Sequence, residues 1–231
     1  MSDTVVQIVR RVLLPVSLLL GVMVLLGVLV TRVFAHTWPF TVEDAVNREL
    51  AGDRTGGWNN VSLVFSTLAS TQMIVVVTVL VALVLRLWLK RWREPLFLCA
   101  AVTAQALVFL LTTLAIDRQR PAVEHMDVSP PTSSFPSGHT SAAVALYVGI
   151  AVLMALRARS TGAKVAWWSL LLVVPLGVAL TRMYRGMHHP SDVVASFLNG
   201  GTCVVIMARA VLDRGLRWGR AKLPVAAAAR T

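Results

Sequence analysis

The chain has 231 residues, 56% of them hydrophobic, and a mean hydropathy of +0.71. That apolar share exceeds the roughly 45–50% usual for soluble domains and excludes an ordinary water-soluble fold. The net charge of +11 raises nucleic acid as a partner, but the basic residues sort by membrane side, so no nucleic-acid binding is expected. Cys99 and Cys203 lie in apolar runs with no CxxC spacing, which excludes a disulfide framework or zinc knuckle and leaves both as packing residues.

Arg10-Arg11 precede an apolar run from Val12 to Phe34. It exceeds the ~7–15 residues of a signal-peptide core, so an uncleaved first span is expected. Residues 36–60 are polar. Within them Val42 to Leu50 reads as a short surface helix, with Thr41 as N-cap and Glu43-Asp44 in its first turn. Gly56-Gly57-Trp58-Asn59-Asn60 reads as a turn that sets Trp58 at the headgroup level. Further spans are expected over Thr71 to Leu89, Leu96 to Ile116, His139 to Leu156, Val165 to Leu180 and Val193 to Val211, followed by a basic tail. Six spans place 15 Lys and Arg on the side holding both termini and seven on the other. The positive-inside rule therefore puts both termini in the cytoplasm.

Three polar clusters then share the outer face: Asp117-Arg118-Gln119-Arg120-Pro121, Phe135-Pro136-Ser137-Gly138-His139, and Arg182…His188…Asp192. The 49 residues between His139 and His188 allow one helix down and one back, at about 20 residues per crossing, so the clusters can converge. Arg118, Arg120 and Arg182 offer planar forks for phosphate oxygens. Ser137 is placed to N-cap the fourth span. Gly138 lets a ligand approach the free N–H groups of that helix terminus. Asp192, in the first turn after Pro190, can reach back to one ring nitrogen of His188, fix its tautomer and leave the other nitrogen to attack phosphorus. His139 can protonate the leaving oxygen and then activate water. Without an acidic metal-ligand cluster, neither a metal nor another cofactor is expected. Arg54 reads as an interfacial anchor, and His36, His125 and His189 as solvated loop residues.

Arg120-Pro121, Pro136-Ser137-Gly138-His139 and Arg182-x5-His188-x3-Asp192 together resemble the three-part signature of the type 2 phosphatidic acid phosphatase (PAP2) superfamily. The resemblance implies an all-α, polytopic membrane protein of six transmembrane helices with the helical core shared with haloperoxidases. It implies one domain over residues 1–231, a catalytic core at about 96–211 and a cytoplasmic tail at 212–231. It also implies metal-independent hydrolysis of a lipid phosphate or pyrophosphate at the outer face of the plasma membrane, through a phosphohistidine. Undecaprenyl pyrophosphate is the first expectation for the substrate, with phosphatidate and phosphatidylglycerophosphate next. A lipid-phosphate binding or transport protein without turnover is the alternative from another class. Two positions depart from the family pattern: Thr113 stands where a Lys is usual, with Arg118 or Arg185 expected to compensate, and Thr181 where a Ser is usual.

Overall fold

The computed structural model describes residues 3–128 and 131–213. The basic tail beyond them, with Arg214, Arg217, Arg220 and Lys222, lies outside the described residues. Among the described residues the protein is all-helical: α1 (Val5–Val33), α2 (Glu43–Gly52), α3 (Gly56–Leu68), α4 (Thr71–Leu89), α5 (Arg93–Ala115), α6 (Gly138–Ala155), α7 (Thr161–Tyr184) and α8 (Pro190–Leu212). All but α2 and α3 are long and apolar enough to cross a bilayer, which makes this a multi-pass membrane protein. Hydroxyl side chains open several helices. Ser70 accepts from the Met73 N–H of α4 at 3.3 Å, and Ser160 accepts from the Ala163 N–H of α7 at 3.2 Å.

Burial sorts the spans. Over half of the apolar window of α6 and of α8 is buried (56% each), against 17% for α1, α4 and α7. The first two therefore form the centre and the other three face lipid, where Leu18, Val79, Leu83 and Leu170 are exposed. Gly200 of α8 makes the central crossing close: a Cβ there would lie 2.6 Å from the Ser141 carbonyl oxygen of α6. Small residues that let backbones approach are a common device where lipid gives helices no hydrophobic reason to associate.

Polar contacts define the two ends of the bundle. At one end the Arg93 guanidinium donates to the Val211 carbonyl at 2.7 Å and to that of Leu212. At the same end Arg157 and Arg91 both pair with the buried Glu94. At the other end, Asn47, Arg54 and Arg118 reach from sequence-distant segments to α7, α8 and the turn between them.

The region 36–60 differs from expectation. Thr41 lies in a single tight turn, Phe40–Val42, and the N-cap position of α2 falls on Val42, which makes no side-chain cap bond. The glycine-rich stretch is the first turn of α3, with Thr55 as cap accepting from Trp58 N–H at 3.4 Å. Glycine in a helix costs about 1 kcal/mol per residue. Here the packing of α3 along α7, which buries Ser62 and Ser66, outweighs it.

Gly200→Ala should force α6 and α8 apart and lower stability by about 1–3 kcal/mol. A lower melting temperature in detergent would show this, whereas no change would mean that the crossing adjusts freely.

Candidate active site

Residues 116–128 and 131–137, the first turn of α6 and the 185–192 turn meet at the same end of the bundle. A cavity of about 790 Å³ opens there, lined on its polar side by Arg120, Gly138, His139, Arg182 and His188. Its other walls are largely apolar and run between α3, α4 and α5. A headgroup site continuous with an apolar slot fits a lipid better than a small soluble anion.

Asp192 is fully buried in the first turn of α8. One carboxylate oxygen accepts from Arg118. The other accepts from the Ser134 hydroxyl at 2.5 Å and from the His189 N–H at 2.8 Å. The expected direct bond to His188 is not formed: its Nδ1 lies 3.8 Å from the Asp192 carboxylate. Nδ1 instead contacts the Ser134 carbonyl at 2.7 Å. A carbonyl only accepts, so Nδ1 carries the proton and the lone pair is left on Nε2. The ring is thus held by the Ser134 carbonyl, while Asp192 accepts from the hydroxyl of the same residue. Burial pushes the His188 imidazole below the ordinary histidine range, with the Asp192 carboxylate partly opposing, and so keeps the ring neutral.

The arginines divide into two groups. Arg118 does not face the cavity. It donates to Ser191 at 2.8 Å, to Asp192, and to the buried Glu43 of α2 at 2.6 Å. Its expected place among phosphate ligands is therefore corrected: two carboxylates already take its fork. Arg185 likewise faces Asp127, with Nε at 3.0 Å and a terminal nitrogen at 2.6 Å, so neither arginine stands in for the cation missing at Thr113. Arg182 lines the cavity and shares Asp127 at 2.5 Å while donating to Ser66 at 2.8 Å. Burial would raise the Asp127 pKa, but the two arginines prevail and hold it below the usual carboxylate range. Arg120 donates to the Met187 carbonyl at 2.7 Å and pairs with no carboxylate among the described residues. Desolvation lowers its pKa, with Asp192 opposing, but a guanidinium stays charged at any working pH. Arg120 is thus the cavity's least compensated positive charge.

Ser137 caps α6 as expected, its hydroxyl accepting from Thr140 N–H at 3.4 Å, and its own N–H goes to Ser196 at 2.8 Å. It shapes the anion site without lining the cavity. The next two N–H groups, of Gly138 and His139, are the first of the helix, where no intrahelical partner exists. Thr181 turns its hydroxyl back to the Val178 carbonyl at 2.9 Å.

Several supporting residues escaped the sequence reading. Asn47 donates to the carbonyls of His188 (3.1 Å) and Met183 (3.2 Å) and so fixes the turn that carries His188. Glu43 also accepts from the Ser191 N–H at 2.7 Å. His189 is buried against Asp44 and Asp192 at 3.3 and 3.4 Å, where a solvated residue was expected. Arg54, read from sequence as an interfacial anchor, clasps the carbonyls of Tyr184 (3.0 Å) and Glu124 (2.9 Å).

A family model described as the PAP2 superfamily matches residues 94–216. Among solved structures, the fold is similar to that of a transmembrane PAP2-type phosphatidylglycerolphosphate phosphatase from Bacillus subtilis, with a TM-score of 0.72 and 22% identity over 84% of this chain and 93% of that one. It is also similar to LpxE from Aquifex aeolicus, with a TM-score of 0.57 and 20% identity over 74% of this chain and 97% of that one. No curated protein sequence matches.

Arg118→Ala strands Asp192 and Glu43 as buried, uncompensated charges and should cost about 3–5 kcal/mol. The drop would be read as a lower melting temperature in detergent, and its absence would mean that water reaches both carboxylates.

Proposed function

Because the chain belongs to the PAP2 superfamily, we propose that it hydrolyses lipid phosphates or pyrophosphates at the outer face of the plasma membrane through a phosphohistidine. One observation carries the proposal: His188 has its Nδ1 fixed on a carbonyl and faces the same cavity as Arg120, Arg182 and His139. The Nε2 lone pair attacks the terminal phosphorus, and its bond to the leaving oxygen breaks: the lipid oxygen of a monoester, or the bridging oxygen of a pyrophosphate. His139 gives a proton to that leaving oxygen. Water then attacks the phosphohistidine, His139 takes its proton, and inorganic phosphate leaves with His188 restored.

Arg120, Arg182 and the first N–H groups of α6 hold the equatorial oxygens as charge develops. Asp192 holds Ser134, and through it the ring, and so stabilises the imidazolium character of the adduct. These cations and amides also take up the phosphate charge, so no metal is assigned a role. The apolar walls suit a lipid tail, which supports a reaction at the bilayer surface, and the bias of basic residues favours the outer one. Undecaprenyl pyrophosphate, phosphatidate and phosphatidylglycerophosphate all present a headgroup that this cluster suits. The Bacillus subtilis neighbour's phosphatidylglycerolphosphate lends support to the glycerolipids.

His188→Ala should reduce phosphate release by about 10⁴-fold or more. It should also abolish transfer of label from a ³²P-lipid into an acid-labile protein adduct. Substantial turnover in this variant, assayed in EDTA, would remove His188 as nucleophile.

The pH profile gives a separate check. The attacking ring must be neutral, and burial holds its pKa below the ordinary histidine value. The loss of kcat/KM on acidification attributable to His188 should therefore fall below that range. Asp192→Asn removes the opposing charge, so it should move that limb to still lower pH while decreasing kcat. A limb above the ordinary histidine value would mean that the ring is charged in the resting protein.

A further inference from the structure

Besides the hydroxyls of Ser66, Thr67, Ser70 and Thr71, the apolar branch of the cavity contains a buried amide. Gln105 of α5 lines that branch and is only 3% exposed, and its Oε1 is buried with no partner among the described residues. Its backbone is fixed, since Asn199 of α8 donates to the Gln105 carbonyl at 3.2 Å. The neighbouring wall is apolar at Val102, Ala106 and Leu110. A bare amide in such a wall is costly, because each unpaired polar group away from water loses about 1–3 kcal/mol.

Its depth relative to the phosphate site follows from α5. The Phe109 ring packs so tightly on Gly138 that a Cβ there would lie 2.8 Å from it, so Phe109 marks the level of the α6 terminus. Gln105 lies four residues earlier, hence about 6 Å deeper on the same face. A glycerolipid phosphate carries its ester carbonyls, or a free hydroxyl, about that far from phosphorus. A prenyl phosphate carries only hydrocarbon there.

We propose that Gln105 is the specificity-determining residue by which this cavity selects glycerolipid phosphates over prenyl phosphates. Turned toward the cavity, the carboxamide would offer a donor to an ester carbonyl and an acceptor to a hydroxyl. A prenyl chain satisfies neither and leaves the amide unpaired in the complex. Sites built to hydrogen-bond a ligand reject analogues lacking the partner group strongly. The inference rests on the phosphatase reading and reverses the order of substrates expected from sequence, moving undecaprenyl pyrophosphate behind the glycerolipids.

The test compares dioleoyl phosphatidate with farnesyl monophosphate, which share a headgroup, at equal mole fraction in mixed micelles. Wild type, Gln105→Leu and the more nearly isosteric Gln105→Met are assayed by kcat/KM, each shown to be folded by its melting transition. Direct binding of both lipids is measured in parallel on a His188→Ala background, where turnover is blocked. The expected result is a preference for phosphatidate in wild type that falls about 5–100-fold in both variants, with farnesyl phosphate unchanged or improved. Equal losses on both lipids, no loss on either, or a wild-type preference for farnesyl phosphate would overturn the proposal. Gln105-dependent binding without phosphate release from wild type would support selection and overturn the phosphatase reading. Release that ignores Gln105 would do the reverse.

Discussion

The arrangement of the site depends on one buried carboxylate. Asp192 has no access to solvent, yet it opens a transmembrane helix. It is tolerable there because every direction around it supplies a donor: Arg118, the Ser134 hydroxyl and the His189 N–H. A charge taken from water needs such full compensation, and meeting that demand brings the segments together. Residues 116–128 and 131–137 deliver Arg118 and Ser134, and α2 delivers Glu43 as a second anion for Arg118. With these in place, the Ser134 carbonyl has one possible direction, and the His188 ring follows it.

Charge balance explains why so many arginines yield so few open positive groups. Arg182 and Arg185 share Asp127, and Arg118 lies between Asp192 and Glu43. Concentrated like charge in a low-dielectric end of a bundle would be repulsive. Neutralising most of it while leaving Arg120 the least compensated gives the cavity a localised attraction for an anion. Arg182 then contributes through a guanidinium whose plane Asp127 and Ser66 have already fixed.

Much of this was legible in the sequence, for physical reasons. Crossing a bilayer demands long apolar runs, so each span from Thr71 onward was located to within about four residues of its helix. The spacing from Arg182 through His188 to Asp192 sets those residues on adjoining helix ends whatever surrounds them. Direction in irregular segments is a different matter. Arg118 and Arg120 lie two positions apart in a non-helical stretch, and nothing local says which faces the cavity. The answer comes from Glu43, 75 residues away from Arg118. Asn47 and Arg54 were unreadable for the same reason, since their partners are backbone carbonyls near the 182–188 turn, to which sequence pattern gives no clue. The glycines at 56 and 57 misled because their propensity is weak beside the packing of α3 against α7.

The clasp between α2 and the start of α8 also sets an order of assembly. Glu43 and Asn47 leave the ribosome long before Ser191 and His188, the residues they hold. Segments emerge N-terminal first, at about 5–20 residues per second. Until α8 is inserted, Glu43 and Arg118 have one another but no Asp192, and the His188 turn has no support from below. The geometry around His188 therefore forms late and all at once, with insertion of α8. A growing chain with most of its helices already in the bilayer still lacks this cluster.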